Sequence, residues 1–234
     1  MGKVTCVSGI DTDIGKTVVT GLLGKALRQS GFSVITQKIT QTGCSGVAED
    51  VRTHRKIMEM DLQPEDNNGL TCPYVFEKAC SPHLAAKLAG QRIDPMQICA
   101  ATATLTAAYD HVLLEGVGGL LVPLGTGYTF LDYLQEQGYP LILVSSPSLG
   151  SINHTLSAME LSKNRGIYVN GIVYNCFDSS DTVIREDSRK VFLEALTHYG
   201  FPETIVDLPN ADEVEADSDM LLLLQQLVTV REKK

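Results

Sequence analysis

Gly9-Ile10-Asp11-Thr12-Asp13-Ile14-Gly15-Lys16-Thr17 lies between an apolar, β-rich run, Lys3 to Ser8, and a helical pattern from about Lys16 to Ser30. A strand, a glycine-bounded loop and a Gly-Lys-Thr opening a helix together predict a phosphate site. Loop N–H groups and the helix N-terminus present positive partial charge to phosphate oxygens. In such a site Lys16 bridges the β- and γ-phosphates of ATP, the Thr17 hydroxyl ligates magnesium, and Ile14, Gly15 and Val18 line the phosphate chain. Five residues separate Gly9 from Gly15, one more than the common spacing. Asp11 and Asp13 would repel a triphosphate unless a cation or an amine lies between. Asp13 is therefore a candidate metal-side or amine-facing group, while either aspartate could instead brace the loop through backbone N–H groups.

Outward from this loop, short apolar runs alternate with helical patterns. Further strands are expected at Ser33 to Lys38 and, later, at His111 to Leu114, Leu141 to Ser145, Tyr168 to Tyr174 and Thr204 to Leu208, these later ones nearly continuously apolar, as parallel strands covered on both faces are. Helices are expected at Thr129 to Gln137, Ser151 to Arg165, Val183 to Tyr199 and Ser218 to Val228, with Gly31 ending the first. Ser81-Pro82 and Asp94-Pro95 each set a capping side chain before a proline at the first helical position. Thr40 to Val47, Pro64 to Gly69 and Phe177 to Asp181 read as loops. The expectation is a single domain over residues 1–234: a doubly wound, mostly parallel α/β sheet with helices on both faces, of P-loop NTPase type. Ligands of such sheets lie beyond the carboxyl ends of the strands.

The bulk numbers agree. The 234 residues suit one α/β domain, and 44% hydrophobic with 20% charged residues is an ordinary globular balance. A formal net charge of -9 disfavours nucleic acid or an acidic membrane face as partner. No apolar run approaches membrane-spanning length, no secretory signal pattern opens the chain, and the six cysteines form no CxxC pair. These read as reduced thiols of a cytoplasmic protein.

Strand ends supply the remaining candidates. His111 to Leu114 runs into Glu115-Gly116-Val117-Gly118-Gly119, an acid able to reach the metal followed by glycines that admit a ligand to the backbone. Lys38 ends the second strand, where a cation can steady charge developing in phosphoryl transfer. Asp50 is either a further metal carboxylate or an acid favoured by a helix N-terminus. Gly150-Ser151-Ile152-Asn153-His154 opens a helix with donors suited to a carboxylate or phosphate. His154 reads as a packed or capping histidine more readily than as a base. Asn175 offers the donor and acceptor that an adenine edge requires, and Leu208-Pro209-Asn210 could wall the same pocket.

These residues together resemble the dethiobiotin synthase family. Its loop pattern, Gly-x-Asp-Thr-(Asp/Glu)-x-Gly-Lys-Thr, is matched by Gly9 to Thr17, including the longer spacing. Its Lys-bearing strand end, Ser-Pro-His, Glu-Gly-x-Gly-Gly and Leu-Gly-x-Ile-Asn-His segments are matched by Lys38, Ser81 to His83, Glu115 to Gly119 and Leu149 to His154. The chain departs from the pattern at Ile10, Ile39 and Ser148 and over Cys176 to Arg185, without losing a group the chemistry needs. The resemblance implies a homodimeric, ATP- and Mg2+-dependent cyclo-ligase acting on 7,8-diaminononanoate and CO2 or bicarbonate. It implies that Thr12, Lys16, Lys38 and Thr42 surround the reacting carbamate and γ-phosphate, and that Thr17, Asp50 and Glu115 hold the metal. Asn175 and Leu208 to Asn210 would then hold adenine, with Leu149, Gly150 and Asn153 taking the substrate's carboxylate tail across the dimer. A ParA/MinD-like ATPase switch, an amidotransferase-type synthetase, a non-catalytic nucleotide-binding module and a paralogue with another substrate are the competing readings. Such switches usually carry a second lysine in the loop, and Ile10 to Ile14 has none. The chain likewise has no glutaminase domain.

Overall fold

The computed structural model describes residues 1–177, 181–209 and 218–229. Strand β1 (Lys3–Gly9) leads into helix α1 (Lys16–Gln29), and β2 (Val34–Lys38) follows. Gly31, at φ 87°, turns the chain between them, its N–H bonded to the Arg28 carbonyl. Next come a two-residue strand β3 (Gln41–Thr42), helices α2 (Glu49–Ile57) and α3 (Pro64–Asn67), and a second short strand β4 (Val75–Phe76). Helices α4 (Pro82–Leu88) and α5 (Pro95–Ala108) lead to β5 (His111–Glu115), the hairpin β6 (Pro123–Gly125) and β7 (Tyr128–Thr129), and α6 (Phe130–Gln137). The last part is β8 (Leu141–Ser145), α7 (Ser151–Asn164), β9 (Val169–Asn175), α8 (Thr182–Tyr199), β10 (Ile205–Leu208) and α9 (Ser218–Thr229).

Six strands form one sheet in the order β10-β9-β8-β1-β5-β2, and every pairing in it is parallel. Period-two alternation sends neighbouring residues to opposite faces. Val7, Leu113, Ile142 and Val144 pack beneath Val19, Leu22, Leu23 and Leu27 of α1 and Leu221, Leu224 and Leu227 of α9. Cys6, Leu114, Leu141, Leu143 and Tyr174 face Phe130 and Leu134 of α6, Met159 of α7 and Phe192 and Leu196 of α8. Both faces are thus covered, and the doubly wound expectation is met.

Three local expectations are corrected. Pro64 to Gly69 is not all loop: Pro64–Asn67 forms α3, and the Asp66 carboxylate accepts from the Gln63 backbone N–H at 2.7 Å. Asp94 does cap α5, accepting from Met96 N, but Ser81 makes no side-chain cap to α4, whose start rests on Pro82. The expected loop Thr40 to Val47 contains β3. Of the expected Phe177 to Asp181 loop, residues 178–180 lie outside the described residues, as does Asn210. Among the described residues no helix is long and apolar enough to cross a membrane.

Candidate nucleotide site

The loop from Gly9 to Thr17 leaves the central strand and enters α1 through Gly15, which adopts φ 95°, ψ 15° as the N-terminal cap. A side chain there would be strained, and its Cβ would stand 2.5 Å from Asn175 Nδ2. Asn175, at the end of β9, donates Nδ2 to the Ile14 carbonyl at 3.0 Å and accepts from Phe177 N at 3.2 Å. The asparagine expected to face a base therefore also braces the loop. Asp13 sits at φ 55°, and Asp11 Oδ1 accepts from Thr12 N at 2.7 Å. Lys16 is buried and donates Nζ to the Asp11 carbonyl at 2.6 Å. Its pKa is lowered to about 8, first by burial and then by the nearby Lys38 charge, against the opposing pull of Glu115, Asp50 and Asp13.

A second group assembles beside it from separate elements. Strands β2 and β5 are neighbours in register, Lys38 opposite Glu115. Lys38 Nζ lies 2.6 Å from Glu115 Oε1 and 2.6 Å from Asp50 Oδ2. Thr17 donates to Glu115 Oε1 at 3.1 Å, linking this cluster to the phosphate loop. The other oxygen, Oε2, is 2.6 Å from His54 Nε2. Burial acts to raise the Glu115 pKa, yet the Lys38 charge and the His54 hydrogen bond outweigh it and hold the carboxyl at about 2. Burial acts to lower the Lys38 pKa, and Glu115 and Asp50 outweigh it in turn, so that it is raised. Two carboxylates and a hydroxyl are hard oxygen donors of the kind that suit magnesium, which usually takes one or two carboxylates and completes its shell with phosphate and water.

His54 was not anticipated. It is one helical turn beyond Asp50 on α2, so both side chains project from one face toward Glu115. That i, i+4 spacing was the available signal. Thr42 lies in β3, which is tied to α2 by Asp50 N donating to Gln41 Oε1 at 3.4 Å. Thr12 approaches the turn after β5, its Oγ1 3.6 Å from where a Cβ on Gly118 would stand; the φ of 56° there strains any side chain, and a Cβ would also crowd Val122 at 2.8 Å.

On the other side of the loop opens a cleft of about 750 Å³. Asp13, Ile14, Gly15, Val18, Asn175 and Leu208 contribute to its walls, with Ser146 to Leu149 opposite. Pro209 is exposed. Leu149 is fully exposed, at 106%, and Gly150 and Asn153 are also exposed, at the start of α7. These three follow β8, which is three strand positions from β2. At about 4.8 Å per strand, β8 and β2 themselves stand about 14 Å apart across the sheet. The structure thus brings Lys16, Thr17, Lys38, Asp50 and Glu115 together. It sets Asn175, Leu208 and Leu149 on the cleft.

A protein-family model described as an AAA domain matches residues 3–218. The chain is 53% identical over 208 residues to the ATP-dependent dethiobiotin synthetase BioD of Chlorobaculum tepidum, covering 88% of this chain and 87% of that protein. It is 49% identical over 208 residues to the ATP-dependent dethiobiotin synthetase BioD 2 of Pasteurella multocida, covering 89% and 97%. Among solved structures, a ParA family ATPase from Chlorobium tepidum aligns with TM-score 0.55 at 18% identity, over 100% of this chain and 93% of that one. The MinC:MinD cell division complex of Aquifex aeolicus aligns with TM-score 0.57 at 13% identity, over 100% and 99%. At such low identity these two likenesses speak to the fold alone.

Proposed function

The chain belongs to the ATP-dependent dethiobiotin synthetase family, a family of ATP-dependent enzymes, and on that premise we propose that it closes the cyclic urea of dethiobiotin. The substrates are 7,8-diaminononanoate, CO2 and ATP. One amine attacks the carbon of CO2 and loses a proton, giving a carbamate. A carbamate oxygen attacks the γ-phosphorus and ADP leaves. The second amine then attacks the carbonyl carbon and loses a proton, phosphate departs with the bonding pair, and the ring closes.

Lys16 and Lys38 offset the charge that moves between carbamate, γ-phosphate and ADP, while Thr12 and Thr42 orient the carbamate. Thr17, Asp50 and Glu115 would hold Mg2+, which when bound neutralises phosphate charge. Asp13 stands where either the metal side or a substrate amine is met. Backbone from Ile14 to Val18 cradles the phosphates, the turn at Gly118 borders them, and Asn175 with Leu208, Pro209 and Asn210 forms the adenine side. The protein would work in the cytoplasm as a homodimer of single P-loop domains spanning residues 1–234. Leu149, Gly150 and Asn153 of one subunit would take the carboxylate tail bound at the other.

The observation that carries this reading is Lys38 held at 2.6 Å from Glu115 while Glu115 also accepts from Thr17 of the phosphate loop. That contact joins a strand-end cation to the nucleotide site. The test is ATP turnover with bicarbonate, with and without 7,8-diaminononanoate, following dethiobiotin by mass. Product that requires all three substrates is expected. ATP turnover without it would sink the cyclo-ligase reading and leave a paralogue or an ATPase switch.

A further inference from the structure

We propose that His54 is a positioning residue for Glu115, holding its Oε2 so that Oε1 alone faces Lys38, Thr17 and a bound magnesium ion. A carboxylate only accepts, so the 2.6 Å contact requires His54 to carry its proton on Nε2 and donate it to Oε2. The imidazole is wholly buried, and its Nδ1 has no hydrogen-bond partner among the described residues. Its one polar tie is therefore to Glu115. A histidine kept only to fill volume would leave both its nitrogens and Oε2 to be satisfied elsewhere, whereas this one satisfies the buried oxygen that Lys38 and Thr17 do not reach.

The consequence is a division of labour within one carboxylate. Without a donor on Oε2, Glu115 can turn about its terminal torsion and present both oxygens to the Lys38 ammonium. That would tighten the carboxylate–lysine pair and disfavour both metal binding and the reach of Lys38 toward substrate. Groups that orient metal-binding carboxylates commonly matter by about 10–100-fold in metal affinity or activity when removed.

The inference rests on reading Glu115 as a cation ligand, and its test needs no diamine. The affinity of the full-length protein for ADP is measured by calorimetry across a Mg2+ titration and again in chelator. His54→Asn supplies a polar amide too short to reach Oε2, whereas His54→Gln sets its amide nitrogen near the Nε2 position. The Asn variant is expected to need about 10-fold more Mg2+ for half its effect, with unchanged affinity in chelator, and Gln to return within about 3-fold. Thermal unfolding verifies that each variant folds; His54→Leu carries the expectation of the Asn variant should that one not fold. A Mg2+ requirement unchanged in the short variants, or not restored by Gln, overturns the inference, as does ADP binding by the unsubstituted protein that ignores Mg2+. Failure to form dethiobiotin would instead overturn the proposed reaction and leave these binding results standing.

Discussion

Lys38 contacts carboxylate oxygens of both Glu115 and Asp50 at 2.6 Å, and their charges raise its pKa against the effect of burial. A lysine so held keeps its charge across the neutral range, available to a transition state that gathers negative charge. It bonds to the acids and not to the phosphate loop, so its loss should weaken ATP binding little. Lys38→Ala is expected to lower kcat by about 100-fold or more while ATP Kd changes less than about 3-fold, read by steady-state kinetics beside equilibrium binding. Equal losses in both would contradict a role in charge stabilisation. Lys38 and Glu115 were legible in the sequence because each ends a strand, Glu115 directly after the apolar run Val112 to Leu114. His54 was not, because its four-residue spacing from Asp50 does not by itself distinguish a buried histidine from a solvated one until the partner carboxylate, sixty-one positions away, is known to lie over it.

At the scale of elements, α2 carries Asp50 and His54, and a buried ion pair fixes it. Arg55 of α2 bonds bidentately to Asp66 of α3 at 2.9 and 2.8 Å and donates to Thr36 Oγ1 of β2 at 2.7 Å. Thr71 adds a further donor to Asp66 at 2.7 Å. Burial opposes ionisation of Asp66, but the Arg55 hydrogen bonds and charge prevail, and its pKa is lowered. A carboxyl whose folded pKa lies below its unfolded value, about 3.9, contributes stability that is present above that value and lost as pH falls through the folded one. Asp66→Asn is therefore expected to cost about 3–5 kcal/mol at neutral pH. The gap to the unsubstituted protein should narrow below about pH 4. Urea unfolding at the two pH values measures both, and a gap independent of pH would rule out the ionised pair as its cause. This inward polar face explains why α2 was hard to read beforehand. Only Val51 and Ile57 of its buried residues are apolar, and Ala48 supplies no side-chain cap, so hydrophobic periodicity and the start signal are both faint. Strands β3 and β4, two residues each, are too short to show a period at all. Strands β5 and β8 were plain because burial on both faces leaves a continuous apolar run in each.

For the whole molecule, strand order decides what one chain can do alone. The phosphate loop leaves β1; Lys38, Asp50, Glu115 and Thr42 gather on the β5–β2 side, and Leu149 to Asn153 follow β8 on the other. The segment proposed to bind the carboxylate tail thus flanks the cleft with Asn175 and follows a strand about 14 Å by strand spacing from the one that bears the lysine that would meet the carbamate. Leu149, at 106% exposure, is covered by no neighbour among the described residues. Both facts favour a tail held by a second copy, and the separation yields a test that a self-contained site would fail. Lys16→Ala removes the phosphate-bridging amine and leaves the tail segment whole, while Asn153→Ala does the reverse. Each homodimer is expected to be nearly inactive under subsaturating diamine. In a mixed dimer, one of the two sites combines an intact Lys16 with an intact Asn153 from opposite subunits, so activity should recover toward about half that of the unsubstituted dimer. Differently tagged subunits purified as heterodimers and assayed for dethiobiotin give the measurement. Recovery absent from verified heterodimers would mean that each chain binds both ends of its substrate, and the exposed Leu149 would then need another explanation.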